Sequence, residues 1–421
     1  LSITMTIQYL LGNEAIAHAC LEAEIDFASG YPGTPSSDVI DTLRMQEERP
    51  LKLEWSTNEK VALENALAAA WCGLRAICTM KHVGLNVAAD PLMTSAYTGV
   101  TGGLVILSAD DPFAHSSQNE QDTRRYAHFA RLPCLDPSSI QEAYDMARDA
   151  FALSEEFGLP VILRPTTRIC HSKGDVNLGE VGTEHRTAAF HRNPQQYVVI
   201  PAHTRPLHKA LNAKQPAIRQ RLSELGYNRC TVRGRTAVIT GGVSAAYVQE
   251  VLGDDVSLAI IGAYPIDEDW LREFVDQHNN VLVVEELDPV IEEVVRRVAT
   301  KTDVYGKMNG TVPYEGEFTP ATVVDALAAA GMTASTTFPA VNPVPGVPPR
   351  PPILCAGCMH RSTFYAMRRV FRDGIFPSDI GCYTLGLQLG AVDTTICMGA
   401  SITVGSGIAR SGEKRPVVCT I

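Results

Sequence analysis

Three cysteines near the end of the sequence have the spacing of a metal or redox site. Cys355 and Cys358 are separated by two residues, and Cys382 follows in a second turn that contains Gly381. Thiolates are soft ligands that favour zinc or an iron–sulfur cluster, and a Cys-x-x-Cys pair also serves redox chemistry. The spacing leaves a cluster, a zinc ion and no metal open, so the three cysteines are candidate ligands.

A second candidate is the glycine-containing segment 30–37, which follows a short apolar run and precedes a helical pattern. Its glycines let the backbone approach a ligand, while Thr34 and the following serines offer hydroxyls and helix N-terminal amides. A simple turn is the alternative interpretation. Ligands of open α/β sheets bind beyond the carboxyl ends of the strands, which is where this segment lies.

Two titratable residues could perform acid–base chemistry. Glu59 opens a long apolar helix, where the helix dipole alone would stabilise a carboxylate. The functional alternative is a buried glutamate that bonds a heterocycle nitrogen. His82 follows the apolar strand 76–80, and a histidine there is either an acid–base group or a structural side chain.

A polar segment, residues 110–122, follows the apolar strand that begins at residue 103. We interpret it as a substrate loop, with a solvated connection as the alternative. Arg164 and Arg168 follow a later strand and could pair with a carboxylate substrate or with a partner subunit.

The elements that must position these residues alternate between strand and helix. Apolar strand-like runs occupy residues 25–32, 76–80, 103–111 and 160–164, and helical patterns occupy 13–23, 36–44, 58–74 and 141–157. Such alternation with continuous apolar strands predicts a parallel sheet covered on both faces. The predicted fold class is α/β with three doubly wound parallel-sheet domains, the third incomplete.

The predicted domain limits follow from changes in composition. They are a first α/β domain at 1–190, a polar and basic connecting arm at 191–230, a second α/β domain at 231–335, a Pro-rich linker at 336–352, and the start of a third domain at 353–421. Residues 417–421 resemble a buried strand, so we expect the sequence to be the front portion of a longer protein.

Composition narrows the class of protein. The 421 residues carry a net charge of −11, which argues against a nucleic-acid partner. The sequence contains no run of about 20 apolar residues, so no membrane span is predicted, and its N-terminus does not resemble a secretory signal. Most of the eleven cysteines occur singly in apolar surroundings, which predicts small buried side chains and a cytoplasmic location.

Taken together, six motifs resemble the alpha subunits of indolepyruvate ferredoxin oxidoreductases, within the thiamine-dependent 2-oxoacid:ferredoxin oxidoreductases. The resemblance covers essentially the whole sequence. The motifs occur in the same order and comprise residues 31–35, 58–62, 81–86, 115–122, 355–361 and 379–386.

The resemblance implies roles for individual residues. The first domain would bind the aminopyrimidine of thiamine diphosphate, with Glu59 bonded to its N1′ nitrogen, and Glu64 is the fallback for that role. Thr34 would lie near the substrate carbonyl, and His82 completes the implied catalytic set. The implied cofactor-binding residues are Tyr31, Gly33, Thr34, Glu59, Gly84, Asn86, His360, Gly381, Cys382, Tyr383, Gly399, Ala400 and Ser401, and the third domain would bind the diphosphate.

The implied reaction is oxidative decarboxylation of aryl 2-oxoacids such as indolepyruvate to aryl-acyl-CoA, with electrons passing to ferredoxin. Implied cofactors are thiamine diphosphate, Mg²⁺ and [4Fe-4S] clusters, with coenzyme A as co-substrate, and implied partners are a smaller beta subunit and ferredoxin. We expect the Mg²⁺ site and most clusters beyond Ile421. A non-redox thiamine-dependent decarboxylase or transferase, and a non-catalytic subunit, are the alternatives.

Overall fold

The computed structural model describes residues 6–46, 51–339 and 344–421. It divides into two compact units, Leu1–Phe338 and Pro339–Ile421. The first unit contains two mainly parallel sheets with helices packed on them, so the predicted α/β class is confirmed.

The strands of the first unit form three sheets. They are β1 (Thr6–Leu11), β2 (Phe27–Gly30), β3 (Lys52–Trp55), β4 (Ala76–Lys81), β5 (Leu104–Ala109), β6 (Cys134–Leu135), β7 (Val161–Leu163), β8 (Lys173–Leu178), β9 (Arg229–Thr231), β10 (Thr236–Gly241), β11 (Ser257–Ile261), β12 (Ala263–Tyr264), β13 (Asn280–Val284) and β14 (Asp303–Tyr305). β1 and β8 pair with each other as an antiparallel ribbon.

The larger sheet has seven strands in the order β12-β6-β7-β5-β4-β2-β3. All its pairs are parallel except β12 with β6, which are antiparallel. The central strands β4 and β5 are buried at almost every position. That burial explains their continuous apolar sequences, because helices cover both faces of a parallel sheet.

The second sheet has five strands in the order β14-β13-β10-β11-β9, of which only β9 is antiparallel to its neighbour. Its strands belong to the segment predicted as the second α/β domain, except that β9 begins at Arg229 in the predicted connecting arm. β12 comes from the same segment of the sequence but pairs with β6 at the edge of the larger sheet. Both sheets therefore belong to one compact unit.

The helices of the first unit surround these sheets. They are α1 (Gly12–Glu22), α2 (Ser37–Arg44), α3 (Glu59–Trp71), α4 (His82–Val87), α5 (Ala89–Thr98), α6 (Thr123–Ala130), α7 (Ile140–Phe157), α8 (Thr167–His171), α9 (Pro194–Tyr197), α10 (Pro201–Glu224), α11 (Ser244–Val251), α12 (Glu268–Val275), α13 (Val290–Val298) and α14 (Pro320–Ala329). None of the described helices is long and apolar enough to cross a membrane.

The segment predicted as a connecting arm contains the 24-residue helix α10. Leu211, Ile218 and Leu222 are buried along it, and α10 packs against α5 and β12. These apolar residues recur at helical spacing. The surrounding Lys, Arg, His and Gln residues obscured that stripe in the sequence.

The second unit contains α15 (Met359–Val370), a 3₁₀ helix at Cys382–Leu389 and α16 (Ala400–Arg410). Its small core comprises Leu354, Phe364, Ala391 and Val392. The segment predicted as a strand at 417–421 makes isolated parallel bridges, between Ile375 and Val417 and between Ser378 and Thr420. Too few consecutive positions pair there to form a regular strand.

Candidate functional site

Glu59 lies at the first helical position of α3, just after the carboxyl end of β3. Asn58 caps this helix, because its side chain accepts a 2.9 Å hydrogen bond from the Val61 amide. The cap fixes the start of the helix and therefore the position of Glu59. Glu64, the fallback residue, instead lies at the surface and pairs with Lys60.

The environment of Glu59 suits a carboxyl group that exchanges a proton. Only 8% of Glu59 is exposed, and its side chain fills the space beside Gly84. A Cβ atom on Gly84 would lie 2.5 Å from Glu59 Oε1, so only glycine fits there. Burial raises the pKa of Glu59, and a hydrogen bond from its own amide and the charge of Lys81 only partly oppose this.

A buried carboxyl with a raised pKa at a strand end fits the N1′ nitrogen of an aminopyrimidine, because it can share a proton with that atom. The absence of a side chain at Gly84 leaves the Glu59 carboxylate the space that it fills. The role of Glu59 at the cofactor stays a prediction.

Lys81 is the site residue whose role sequence reasoning missed. Its Nζ donates a 2.8 Å hydrogen bond to the Ser116 carbonyl, and its stem passes close to Gly33. Burial lowers the pKa of Lys81, whereas the charges of Asp111 and Glu59 act in the opposite direction. The only sequence signal was a lysine between a buried strand and His82.

His82 is 1% exposed, and its Nε2 lies 3.0 Å from the Asn119 carbonyl oxygen. Among the described residues, its Nδ1 has no hydrogen-bond partner. An Nε2–H donor to Asn119 therefore holds the loop that follows β5. An acid–base role for His82 stays a prediction.

The loop at residues 112–122, which we call the site loop, is tied to the sheet edge rather than merely solvated. Asp111 accepts hydrogen bonds from the Ser116 amide at 2.8 Å, the Ser117 hydroxyl at 2.7 Å and the Thr167 hydroxyl at 2.8 Å. Burial alone would raise the pKa of Asp111, but these bonds and the Lys81 charge lower it. The Ser116 hydroxyl also lies 3.4 Å from the Thr34 carbonyl oxygen.

The remaining predicted residues of this edge lie at its rim. Thr34 and Asn86 are exposed, and the Asn86 side chain accepts a hydrogen bond from the Tyr126 hydroxyl. The Tyr31 amide bonds the Thr79 carbonyl at 3.3 Å. Ser36, the residue that precedes α2, donates its hydroxyl to the Gly33 carbonyl, which tightens the turn.

The outer side of the site loop is held by the segment that precedes α14. Glu317 Oε2 lies 3.0 Å from His115 Nε2 and 2.7 Å from Arg168 Nη2. Burial would raise the pKa of Glu317, but the hydrogen bonds from Arg168 and His115 lower it. Phe113 and Ala114 have φ values of 70° and 48°, a region that non-glycine residues occupy only when neighbours hold them.

We expect Glu317→Gln to loosen the site loop. Exposed ion pairs contribute about 0.2–1 kcal/mol each, so amide hydrogen exchange across residues 112–120 should accelerate by about fivefold. The matched control is Glu315→Gln, an exposed carboxylate in the same segment. Unchanged exchange in Glu317→Gln, or equal acceleration in both variants, would contradict this role.

Arg164 and Arg168 do not serve as free substrate-binding cations in this structure. Arg164 is 3% exposed and pairs with Asp110 at 2.6 Å and Asp136 at 3.1 Å. Arg168 pairs with Glu317. Arg164 was predicted to pair with a carboxylate substrate or with a partner subunit. In the structure its partners are instead carboxylates from neighbouring strand ends of its own sheet.

A second buried arginine links the two sheets. Arg124, in α6, pairs with Asp122 at 2.6 Å and with Glu285 at 2.9 Å, and Glu285 lies just after β13. Burial is the largest single influence on the pKa of Asp122 and would raise it. The charges of Arg124 and Arg164, together with the hydrogen bonds from Arg124, lower that pKa to about 2. These buried pairs anchor the end of the site loop to the second sheet.

In the second unit, the predicted residues form two small groups. Cys358 Sγ lies 3.2 Å from His360 Nδ1, and the His360 ring meets the Tyr383 ring edge-on at 5.7 Å between centroids. Cys355 and Cys382 are exposed. Gly381 has a φ of 153°, and a Cβ there would lie 3.0 Å from the Tyr383 ring.

The second group is the start of α16, where Gly399 takes a φ of 79° and Ala400 and Ser401 begin the helix. The Ser401 amide donates a 2.7 Å hydrogen bond to Asp379 Oδ1, and the Asp379 carbonyl accepts from the Thr384 hydroxyl at 3.1 Å. Asp379 therefore connects the Gly381 turn with the helix start, a role that its place in the sequence did not reveal.

Within residues 6–46, 51–339 and 344–421, no three or more His, Cys, Asp or Glu side chains are arranged to hold a metal ion. The assignment of Cys355, Cys358 and Cys382 as ligands stays a prediction. Cys230 and Cys397, predicted as buried, are exposed.

The edge formed by Glu59, Lys81 and the site loop falls inside a recognised family region. Residues 18–222 match the family described as "Pyruvate flavodoxin/ferredoxin oxidoreductase, thiamine diP-bdg". Indolepyruvate oxidoreductase subunit IorA of Archaeoglobus fulgidus is 45% identical over 95% of this chain and 68% of its own length. The same-named subunit of Thermococcus kodakarensis is 45% identical over 98% of this chain and 69% of its own length.

This chain belongs to the IorA family of indolepyruvate oxidoreductase subunits. The predicted family and the predicted enzyme class, a thiamine-dependent 2-oxoacid:ferredoxin oxidoreductase, are thereby confirmed. A more distant relative, 2-oxoglutarate synthase subunit KorA of Methanothermobacter thermautotrophicus, is 25% identical over 41% of the chain.

Among solved structures, the IorA-family chain resembles "2-oxoglutarate:ferredoxin oxidoreductase from Magnetococcus marinus with 2-oxoglutarate, coenzyme A and succinyl-CoA bound". The TM-score is 0.60 at 16% identity, covering 77% of this chain and 65% of the other. At that identity the likeness supports the fold alone, and it agrees with the thiamine-enzyme-like architecture.

Proposed function

We propose that the chain takes part in oxidative decarboxylation of aryl 2-oxoacids, indolepyruvate among them, to aryl-acyl-CoA with electron transfer to ferredoxin. The observation that carries this is the buried Glu59 carboxyl, with its raised pKa, packed against Gly84 inside the thiamine-binding family region. The names of the IorA relatives supply the substrate class.

Each residue of the site has a distinct task in this proposal. Glu59 holds and moves a proton at the N1′ nitrogen of the aminopyrimidine, as general acid–base groups of matched pKa do. Lys81 fixes the Ser116 carbonyl, and Thr34 faces the position of the substrate carbonyl. The site loop excludes water from the reacting atoms, which strengthens the electrostatic interactions within the site.

Thiamine diphosphate supplies, when bound, the carbon nucleophile that attacks the 2-oxoacid. We assign the pyrimidine to the domain at 1–190, with Tyr31, Gly33 and Asn86 around it. We assign the diphosphate to the predicted domain at 353–421, through His360, the Gly381–Tyr383 turn and Gly399–Ser401. The other proposed cofactors are Mg²⁺ and iron–sulfur clusters, and coenzyme A is the proposed co-substrate.

A beta subunit and ferredoxin are the proposed partners, since the relatives are named as subunits of an oxidoreductase. The eleven cysteines are all free thiols in the structure. Free thiols fit a reducing compartment, so the proposed location is the cytoplasm.

The proposal is tested on the complex purified with its natural partner subunit. Indolepyruvate, phenylpyruvate and 2-oxoglutarate are compared as substrates, with ferredoxin reduction, acyl-CoA formation and iron content measured. We expect coenzyme A-dependent ferredoxin reduction with kcat/KM at least about tenfold higher for the aryl substrates, because an aryl pocket gains apolar burial.

Two results would overturn this proposal. Aldehyde formation without ferredoxin reduction, in a complex that lacks iron, would indicate a non-redox thiamine enzyme. Turnover by the partner subunit alone would make this chain a non-catalytic component.

A further inference from the structure

A cavity of about 410 Å³ opens between α6, α10 and α13 of the first unit, and Glu59 is not among the residues that line it. Its apolar lining includes Leu132, Ile266 and Val294. Its charged lining comprises Arg124, Arg131, Arg219, Arg297 and one carboxylate, Glu268. Among the described residues that line it, none belongs to the candidate site around Glu59, Lys81 and His82. Its volume falls in the range of small-molecule sites.

The charges around this cavity are not balanced. Arg297 pairs with Glu268 at 3.2 Å, whereas Arg131 and Arg219 form no ion pair with any residue in the described part of the chain. His128 adds a further basic group to the lining. An anion in the cavity would interact favourably with these unpaired cations.

One arginine of the lining, Arg124, already has carboxylate partners. It is 2% exposed and pairs with both Asp122 and Glu285. Its guanidinium also lies 5.7 Å from the centroid of the Tyr264 ring. Arg131 and Arg219 are therefore the arginines that remain available to pair with a bound anion.

The cavity thus combines an apolar wall with free guanidinium groups. Guanidinium groups match the planar geometry of a carboxylate and bind it through paired hydrogen bonds. Apolar side chains favour the faces of an aromatic ring, and a cavity of this size accommodates one ring system with a short acidic side chain.

We propose that this cavity binds a small aryl carboxylate at a site separate from the one that contains Glu59. The aromatic ring packs against Leu132, Ile266 and Val294, and the carboxylate pairs with Arg131 and Arg219. The proposal goes beyond the function proposed above and does not depend on turnover.

Isothermal titration calorimetry on the intact complex tests this proposal. Phenylacetate is the probe because it lacks the keto group of a substrate, and phenylacetamide is its neutral counterpart. We expect phenylacetate to bind, phenylacetamide to bind at least about tenfold more weakly, and Arg131→Gln and Arg219→Gln each to weaken phenylacetate binding by a similar factor.

The matched control is Arg205→Gln, an exposed arginine of α10 outside the cavity, which should bind like the unmodified complex. Inorganic phosphate and AMP distinguish other anion sources, and we expect both to bind more weakly than phenylacetate. Tighter binding of either one would replace the aryl carboxylate with a phosphate ligand and overturn the proposal.

Absence of binding heat would overturn the proposal, as would equal affinity for phenylacetate and phenylacetamide. Unaltered affinity in both arginine variants would overturn it too, because the binding would then occur elsewhere. The experiment measures binding rather than activity. A negative binding result would therefore not contradict the proposed reaction, and a negative turnover result would not invalidate the binding test.

Discussion

Glu59→Gln should abolish most of the 2-oxoacid turnover of the intact complex while leaving the chain folded. Positioned acid–base groups contribute about 10²–10⁴-fold to rate, so kcat/KM with indolepyruvate should fall within that range. Gln has nearly the shape of Glu and removes a buried carboxyl whose pKa burial raises. The unfolding temperature should therefore be maintained.

Glu64→Gln is the matched control, because Glu64 lies on the same helix but at the surface, paired with Lys60. It should retain full turnover. Gly84→Ala offers an independent check, since its Cβ would lie 2.5 Å from Glu59 Oε1 and displace the carboxylate. Normal turnover in Glu59→Gln would remove Glu59 from the proposed mechanism.

Arg164→Met should cause the largest loss of stability. Removing the guanidinium leaves the fully buried Asp110 and Asp136 without their cation, and breaking a buried pair costs about 3–5 kcal/mol. Denaturant unfolding of the variant and the parent measures the difference. The control Arg272→Met breaks an exposed pair with Asp269 and should cost less than about 1 kcal/mol.

The loss of stability in Arg164→Met should depend on pH in a defined direction. Burial already raises the pKa of Asp136 despite the opposing charge of Arg164, and loss of that charge raises it further. A carboxyl with a raised folded-state pKa destabilises the fold as pH rises through that pKa. The stability deficit should therefore shrink as pH falls, and a deficit independent of pH would assign the loss to packing instead.

The sequence predicted the central strands and the position of Glu59 well, for local reasons. β4 and β5 are continuous apolar runs because both faces of the sheet are covered. Glu59 follows the cap residue Asn58, so its place at the start of a helix could be predicted from neighbouring residues alone.

Contacts between distant segments were not predictable in the same way. Lys81 acquires its role from the Ser116 carbonyl, 35 positions away, and Arg164 from carboxylates at other strand ends. Nothing in the local pattern specifies such partners. The burial of Leu211, Ile218 and Leu222 on α10 was obscured by polar neighbours for a related reason, since only the packed helix shows which face is covered.

The pairing of β12 with β6 has a consequence for how such a protein can be divided or recombined. The edge of the larger sheet is completed by Ala263 and Tyr264, from beyond β11, and the buried Arg124 depends on Glu285 from beyond β13. Separating residues 1–190 from the rest of the unit would leave the β6 edge without β12 and would remove one of the two carboxylates that pair with the buried Arg124. The two halves of this unit are therefore constrained to be inherited together.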